Sequence, residues 1–158
     1  MSESRRSRKP PPTATQRALG LLVRREHSRK ELTRKLAARG VEAGEAEAAI
    51  DKLAEAGWQD DARFAELLVR SRAASGHGPA HVRAELRMHG LDGEAIAAAM
   101  EGFDGDWNAI ARELVRRRFD AKAVKTLAGQ RKAADLLLRR GFAMEQVRAA
   151  LGGDFDSD

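Results

Sequence analysis

The chain has 158 residues, of which 34% are charged and 4% aromatic, and its formal net charge is +5. This basic balance favours acidic partners, such as nucleic acid or an acidic protein surface. The chain contains no cysteine, which excludes disulfides and thiolate metal sites and makes the reducing cytoplasm the expected compartment. No apolar run approaches the ~20 residues of a membrane span, and the basic N-terminus lacks the apolar segment of a secretion signal.

The two ends of the chain are predicted to be tails. Residues 1–14 are basic and proline-rich, with nothing apolar to bury, so we expect disorder there. A solubilising leader is the favoured interpretation of this segment, and a basic arm that touches nucleic acid is the alternative. Residues 152–158 carry three aspartates and are expected to form an acidic, frayed C-terminal tail.

Between the tails, one pattern of glycine and apolar residues occurs three times. Gly40, Gly90 and Gly141 lie 50 and 51 residues apart, and each has a leucine four residues before it. Apolar residues also recur directly after each glycine and six and ten residues beyond it, namely Val41, Leu91, Phe142, Ala46, Ile96, Val147, Ile50, Met100 and Leu151. A period of about 50 residues is typical of helical arrays, so we predict an all-α fold of three tandem three-helix repeats.

Residues 15–58 are predicted to form the first repeat. Its first helix covers about 15–26, Ser28 and Glu31 make a capping box for the second, and Gly40 ends that helix as a left-handed cap. Its third helix covers about 43–56 and stops at Gly57. The expected inward-facing residues are Leu19, Leu22, Val23, Leu32, Leu36, Ala46, Ala49, Ile50 and Leu53.

Residues 59–103 are predicted to form the second repeat. Asp60 or Asp61 is the expected N-cap of its first helix, and Pro79 suits the first turn of the next helix, where no donor is needed. Gly90 caps that helix, and Asp92 begins the third. The expected inward-facing residues are Phe64, Leu67, Leu68, Val82, Leu86, Ile96, Ala99, Met100 and Phe103.

Residues 104–151 are predicted to form the third repeat. Its first helix has the cleanest helical period, and a connector at 119–128 follows that is longer than its counterparts. The expected inward-facing residues of its three helices are Trp107, Ile110, Ala111, Leu114, Val115, Ala133, Leu136, Leu137, Met144, Val147 and Leu151.

Basic residues concentrate on the middle helix of each repeat and at the end of each first helix, whereas the third helices are acidic or neutral. The candidate partner-binding residues are Arg24, Arg25, Arg29, Lys30, Arg34, Arg70, Arg72, Arg83, Arg87, Arg117, Arg118, Arg131, Lys132, Arg139 and Arg140. A solvated face is the alternative interpretation, and the recurrence on the same helix favours binding. Sequence-specific reading of DNA by the third helix of the first or second repeat is rejected, because the carboxylates of these two helices would meet phosphates, and non-specific contact through the basic helices stays open.

Other candidate sites are weaker. His77 and His81 are four residues apart, but Gly78 and Pro79 lie between them, so the rings need not share a face, and no third metal ligand is evident. A plain turn at 76–78 is favoured over a phosphate cradle, since proline removes a donor. Trp58 and Trp107 are expected to be core anchors at the junctions between repeats rather than nucleobase platforms. No grouping points to catalysis, so neither an enzyme activity nor a cofactor nor a metal site is predicted.

Four stretches together closely resemble the RecX regulatory proteins of bacteria: 25–40, 57–65, 76–86 and 139–142. The matching motif residues include Gly40, Trp58, Asp61, Phe64, Gly78, Pro79, Gly90, Gly141 and Phe142. The segment 120–130 departs from the pattern of the family.

The resemblance implies three three-helix repeats in an elongated, curved molecule, and a protein that binds the recombinase RecA. Members of that family lodge in the groove of the RecA–DNA filament and lower its growth, ATP hydrolysis and strand exchange, in DNA recombination, repair and the SOS response. We therefore expect a monomeric, non-enzymatic regulator of RecA. The competing hypothesis is a non-specific DNA-binding protein that restrains recombination by occupying DNA.

Overall fold

The computed structural model describes residues 8–152, and that range contains nine α-helices, one short 3₁₀ helix and no strand. The α-helices are α1 (Ala14–Arg24), α2 (Arg29–Ala38), α3 (Ala43–Glu55), α4 (Asp61–Ala74), α5 (Pro79–Met88), α6 (Gly93–Glu101), α7 (Trp107–Arg118), α8 (Leu127–Arg139) and α9 (Met144–Leu151), and the 3₁₀ helix is Ala123–Lys125. The prediction of an all-α fold of tandem three-helix repeats is confirmed.

The repeats are grouped into two compact units. The first ends at Asp60 and contains α1 to α3, and the second begins at Asp61 and contains α4 to α9. The second and third repeats therefore form one unit. Residues 1–7 and 153–158 of the two predicted tails lie outside the described residues.

Several helices begin at polar caps. The hydroxyl of Thr13 accepts a hydrogen bond from the Gln16 N–H in a capping box, so α1 begins at Ala14 and the first repeat starts one residue earlier than predicted. Ser28 accepts from the N–H of Glu31 at 3.1 Å, as expected of an N-cap. Helix α4 begins at Asp61, which leaves Asp60 at the position before the helix.

The three repeated glycines have the predicted left-handed backbone. Their φ angles are +81° at Gly40, +82° at Gly90 and +91° at Gly141, and each follows the last turn of a middle helix. A side chain is strained in this conformation, whereas glycine adopts it freely. The chain therefore reverses in the same way after α2, α5 and α8.

The core of the first unit is made of small and aliphatic side chains from all three helices, namely Ala18, Leu22, Leu32, Leu36, Ala46, Ile50 and Leu53. Val23, predicted to face inward, is 67% exposed. Each residue turns a helix by about 100°, so Ala18 and Leu22 share the buried face and Val23 rotates away from it. Trp58, predicted to be a core anchor, is 48% exposed, and that prediction is wrong.

The second unit has two apolar clusters. The first cluster contains Phe64, Ala65, Leu68, Val69, Val82, Leu86, Leu91, Ile96 and Ala99. The second contains Ala111, Leu114, Val115, Ala133, Ala134, Leu137, Phe142 and Val147. Trp107 packs against both clusters, with its ring 4.7 Å from that of Phe103, so this tryptophan does join two repeats. Leu67 and Met144, predicted to face inward, are 43% and 38% exposed.

A backbone contact also joins the two repeats of the second unit. The N–H of Gly78 donates to the carbonyl of Arg140 at 2.7 Å, and the N–H of Ala80 donates to the carbonyl of Gly141 at 3.0 Å. The first N–H groups of a helix have no partner within that helix, and here the end of α8 supplies acceptors to the start of α5. The turn at 76–78 thus has a structural role that its composition did not reveal.

The connector at 119–128 contains its own ordered turn. Val124, in the 3₁₀ helix, packs against the second apolar cluster of this unit. Thr126 then caps α8, because its hydroxyl accepts from the N–H of Gly129 at 3.0 Å. This departure from the family pattern is therefore a folded connection between α7 and α8.

Candidate protein-interaction surface

The cations of the middle helices fall into two groups. One group is exposed, and within the described residues none of its members belongs to a salt bridge: Lys30, Arg34, Arg83, Arg87, Arg131, Lys132 and Arg139. We call these seven residues the middle-helix cations. Their charged groups stay in water, where they are available to carboxylates or phosphates of a partner.

The other group is engaged inside the protein. Arg25 binds the carboxylate of Glu31 through two hydrogen bonds of 2.8 and 3.0 Å, and the guanidinium of Arg29 pairs with Asp51 on α3. Arg140 donates to the carbonyl of Ser75 at 3.3 Å. These arginines are predicted from the sequence to bind a partner. In the folded chain their guanidinium groups instead bind carboxylate or carbonyl oxygens of the protein itself.

The predicted cations at the ends of the first helices also differ from one another. Arg24, Arg70 and Arg118 are exposed, and the described part of the chain holds no salt bridge to any of them. Arg117 lies 3.6 Å from a Glu113 oxygen. Positive charge at a helix C-terminus is favourable in itself, so this position alone does not indicate a partner.

A polar cluster organises the entrance to α2. His27 is buried, its Nδ1 lies 3.0 Å from the carbonyl of Arg25, and its Nε2 lies 3.1 Å from the ammonium of Lys35. An ammonium only donates, so Nε2 accepts and Nδ1 carries the proton. The imidazole is therefore neutral in this arrangement.

The charges of this cluster shift two pKa values. Burial lowers the pKa of His27, against the hydrogen bond to the Arg25 carbonyl, and the cationic side chains of Arg25 and Lys35 lower it further. Burial acts to raise the pKa of the Glu31 carboxyl, but the hydrogen bonds from Arg25 and the positive charges around the carboxylate together outweigh it, and the net shift is downward. Glu31 is thus held as a carboxylate.

A second polar cluster lies in the second unit. Arg72 on α4 binds the Glu85 carboxylate on α5 through hydrogen bonds of 2.6 and 2.7 Å, which lower the pKa of that carboxyl. His81 lies 3.4 Å from the same carboxylate, and its ring stacks on His77 at 4.3 Å. Burial lowers the pKa of His77, and the charges of His81 and Arg140 add to the shift.

The two histidines therefore do share a face, unlike the expectation from the intervening turn. Their neighbours are a carboxylate and two arginines, and cations beside imidazoles oppose metal binding. Among the described side chains, no group of three or more histidines and carboxylates is arranged to hold a metal ion. The arrangement is that of a packed junction between α4, α5 and the turn after α8.

Two polar residues that matter here were missed in the sequence. His27 precedes the N-cap of α2 and lies outside every helix, so helical periodicity gave no signal for its burial. Thr13 has Gln16 three residues later, which is a capping-box pattern, but the prolines before it favoured disorder. Within residues 8–152, no helix is long and apolar enough to span a membrane.

The chain matches the models of the three RecX three-helix domains, the first over residues 14–53, the second over 60–100 and the third over 104–151. It is 67% identical to the Regulatory protein RecX of Stenotrophomonas maltophilia (strain R551-3) over 144 residues, which cover 91% of this chain and 88% of that protein. The Regulatory protein RecX of Xanthomonas axonopodis pv. citri (strain 306) is 60% identical, with 91% and 89% covered.

Two solved structures share the fold. The crystal structure of RecX from Lactobacillus salivarius matches with a TM-score of 0.74 at 21% identity, covering 87% of this chain and 92% of that one. A crystal structure of regulatory protein RecX matches with a TM-score of 0.71 at 22% identity, covering 87% and 70%. Because its three domains match the family models and it is 67% identical to a member over 91% of its length, this chain belongs to the RecX family of regulatory proteins.

Proposed function

We propose that this protein binds the recombinase RecA, lodges in the groove of the RecA–DNA filament and restrains filament growth, ATP hydrolysis and strand exchange. It does so by binding, without catalysing a reaction, as a monomer in the cytoplasm. Membership of the RecX family supports the partner. Several weak contacts made by one protein to a repetitive polymer reinforce one another by multivalency.

One observation carries the proposed surface: the middle-helix cations are exposed and form no salt bridge within the described residues, while the charged residues of α3 and α6 are largely acidic. An arginine already bound to an internal carboxylate has fewer donors left for a partner. Arg34, Arg83, Arg87 and Arg139 therefore represent the surface better than Arg29 or Arg140, which hold the fold together.

The test is a RecA ATPase assay on single-stranded DNA with increasing amounts of this protein. The variant with Arg34, Arg83, Arg87 and Arg139 changed to glutamate should lose inhibition, because carboxylates would replace four of the guanidinium groups offered to the partner. Its helicity by circular dichroism should equal that of the wild type, since the residues are exposed. Full inhibition by this variant would reject the middle-helix cations as the contact surface.

The matched control reverses four other exposed cations, Lys52, Arg112, Lys122 and Lys125, which lie outside the middle helices. Both variants carry a formal net charge of −3 instead of +5. We expect the control to inhibit RecA nearly as well as the wild type. Equal loss in both variants would mean that net charge, and not the surface, governs inhibition.

The alternative function is suppression of RecA by occupation of DNA, which the net charge of +5 favours. Its hallmark is binding to bare DNA that weakens steeply with salt, each neutralised phosphate adding ~0.7–0.9 to the slope of log affinity against log salt. The ATPase assay is therefore run at two salt concentrations. Inhibition that persists where bare-DNA binding has vanished supports direct binding to RecA, and inhibition lost in parallel with DNA binding supports the alternative.

A further inference from the structure

A groove of about 550 Å³ lies between α1 and α2 in the first unit. Its walls are two short faces, one from each helix. On α1 the lining residues Arg17, Gly20, Leu21 and Arg24 follow the i, i+3, i+4, i+7 spacing of a single helical face. We call this feature the α1–α2 groove.

The lining residues combine an apolar middle with cationic ends. On α2 the corresponding set is Lys35, Leu36, Ala38 and Arg39. On each helix, small or aliphatic residues thus lie between two basic ones. None of the described residues that line the groove carries a carboxylate.

Three of the four cations have no partner within the described residues. Lys35 contacts His27 and lies 4.0 Å from Glu31, whereas the side chains of Arg17, Arg24 and Arg39 take part in no ion pair or hydrogen bond there. Three guanidinium groups around one apolar groove make a strongly positive rim, which leaves carboxylates as the complementary groups.

Gly20 gives a second, independent indication of a ligand. It lies in the interior of α1, where glycine is among the least favourable residues because it gains freedom in the unfolded chain. A β-carbon built at Gly20 would meet no atom within 4 Å, and its backbone is not in the left-handed region. No packing in the described structure requires glycine here, and its effect is to keep the groove open.

The third repeat has a related groove in the same place, between the end of α7 and α8. It is smaller, about 330 Å³, and combines the apolar Phe119 and Leu136 with the basic Arg118, Lys132 and Arg139. Asp135 also lines it, so its positive charge is partly compensated. A cationic groove between the first and second helix therefore occurs in the first and third repeats, and the groove of the first repeat has the larger volume.

We propose that the α1–α2 groove is a docking site for an acidic peptide segment of a partner protein. One apolar side chain of the segment inserts over Gly20 between Leu21 and Leu36, and flanking carboxylates pair with Arg17, Arg24 and Arg39. A peptide fits better than a nucleic acid because no aromatic ring lines the groove to stack a base, whereas the apolar middle suits an aliphatic or aromatic side chain.

The test measures fluorescence anisotropy of a labelled pentapeptide with one phenylalanine between two pairs of aspartates, added to the full chain. We expect saturable binding that weakens with salt. Replacing the phenylalanine by serine should weaken binding about tenfold or more, because the apolar contact is lost. Replacing the aspartates by asparagine should weaken it by a similar factor, because the ion pairs with the arginines are lost. Absence of saturable binding, or equal binding of the three peptides, would overturn the proposal.

Two variants of the protein locate the binding. Gly20→Leu places a side chain in the groove without a clash at its β-carbon and should abolish peptide binding. The control is Gly93→Leu, because Gly93 is also a helical glycine with open space around its β-carbon position. Arg17→Glu with Arg39→Glu should weaken binding at least about tenfold, and Lys52→Glu should leave it unchanged. Equal effects of groove and control variants would overturn the proposal even if Gly20→Leu folded poorly, because Arg17 and Arg39 make no side-chain hydrogen bond or ion pair within the described residues and their replacement removes no contact of the fold.

A single-stranded oligonucleotide that displaces the peptide from the wild type, and itself loses binding in the Arg17→Glu/Arg39→Glu variant, would identify the groove as a nucleic-acid site instead. The peptide assay contains no recombinase, so its failure leaves the proposed regulation of RecA intact. Conversely, loss of RecA inhibition in the variant with reversed middle-helix cations, with peptide binding retained, separates the two surfaces.

Discussion

Gly78 and Gly141 meet backbone to backbone in the second unit. A β-carbon added to Gly78 would lie 2.5 Å from the carbonyl of Gly141, and one added to Gly141 would lie 2.5 Å from the N–H nitrogen of His81. This close approach allows the N–H groups at the start of α5 to reach the last carbonyls after α8. Two consecutive repeats are therefore joined by main-chain hydrogen bonds between turns that are remote in sequence.

Substitution of either glycine should weaken the second unit. Gly78→Ala and Gly141→Ala insert a methyl group where backbone atoms already lie too close, and we expect a loss of about 1–3 kcal/mol in the free energy of unfolding. Thermal and urea unfolding followed by circular dichroism measure it. The control is Gly20→Ala, in open space on a helix, which should raise stability by about 0.5–1 kcal/mol. Unfolding midpoints of Gly78→Ala and Gly141→Ala equal to that of the wild type would contradict the close backbone contact.

Gly90→Val should destabilise the second repeat for a different reason. Gly90 has φ +82°, and a left-handed backbone costs an ordinary residue about 1–2 kcal/mol, with a further penalty for a β-branched side chain. Gly90→Asn should lose less stability, because asparagine tolerates this conformation better than valine. A midpoint of Gly90→Val equal to that of the wild type, or below it by no more than that of Gly90→Asn, would argue against strain at this turn.

Protonation of buried histidine should reduce stability in mild acid. The pKa of His27 is lower in the folded chain than in the unfolded chain, so the unfolded chain binds more protons between those two values. The stability is therefore constant above about pH 6.5 and falls as the pH decreases through the folded pKa. We expect the unfolding midpoint to drop between about pH 7.5 and about pH 5.5.

The histidine variants identify the source of that pH dependence. His27→Gln should lower stability at neutral pH and flatten the pH profile, and His77→Gln should flatten the remaining part, since the pKa of His77 is also lowered. Glu31 and Glu85 do not contribute in this window, because their lowered pKa values remove stability only below about pH 4.5. Profiles that keep the wild-type slope in both variants would refute the assignment.

The Arg72–Glu85 pair should contribute modestly to stability. The pair is bidentate, at 2.6 and 2.7 Å, but both side chains are partly exposed, so water screens the interaction. A double-mutant cycle with Arg72→Gln and Glu85→Gln should give a coupling of about 1 kcal/mol. A coupling near zero would show that the pair is only a surface contact, and Arg72 would then return to the candidates for partner binding.

Much of the fold could be read from the sequence because its determinants are local. The spacing of Gly40, Gly90 and Gly141 depends only on where a helix must end, and the leucine four residues before each belongs to the turn that the glycine closes. The side chains of Ser28 and Asp92 cap their helices by accepting a hydrogen bond from the N–H of the residue three positions further on. Interactions over three or four residues are visible in a pattern that repeats three times.

The tertiary structure decided which charged residues form ion pairs within the protein and which apolar residues are left exposed. Arg29 and Arg34 look equivalent on α2, but only the folded chain brings Asp51 of α3 to Arg29. Trp58 and Leu67 are apolar yet substantially exposed, Trp58 in the connection between α3 and α4 and Leu67 on the side of α4 that packs against no other helix strongly enough to bury it.

The requirement for glycine at positions 78 and 141 likewise depends on a contact between residues remote in sequence. Helix caps and left-handed turns arise from a few neighbouring residues, so the sequence by itself determined the three helical repeats. Ion pairs, burial and backbone contacts depend on how whole helices pack, so only the tertiary structure could separate the cations that hold this protein together from those that it presents to a partner.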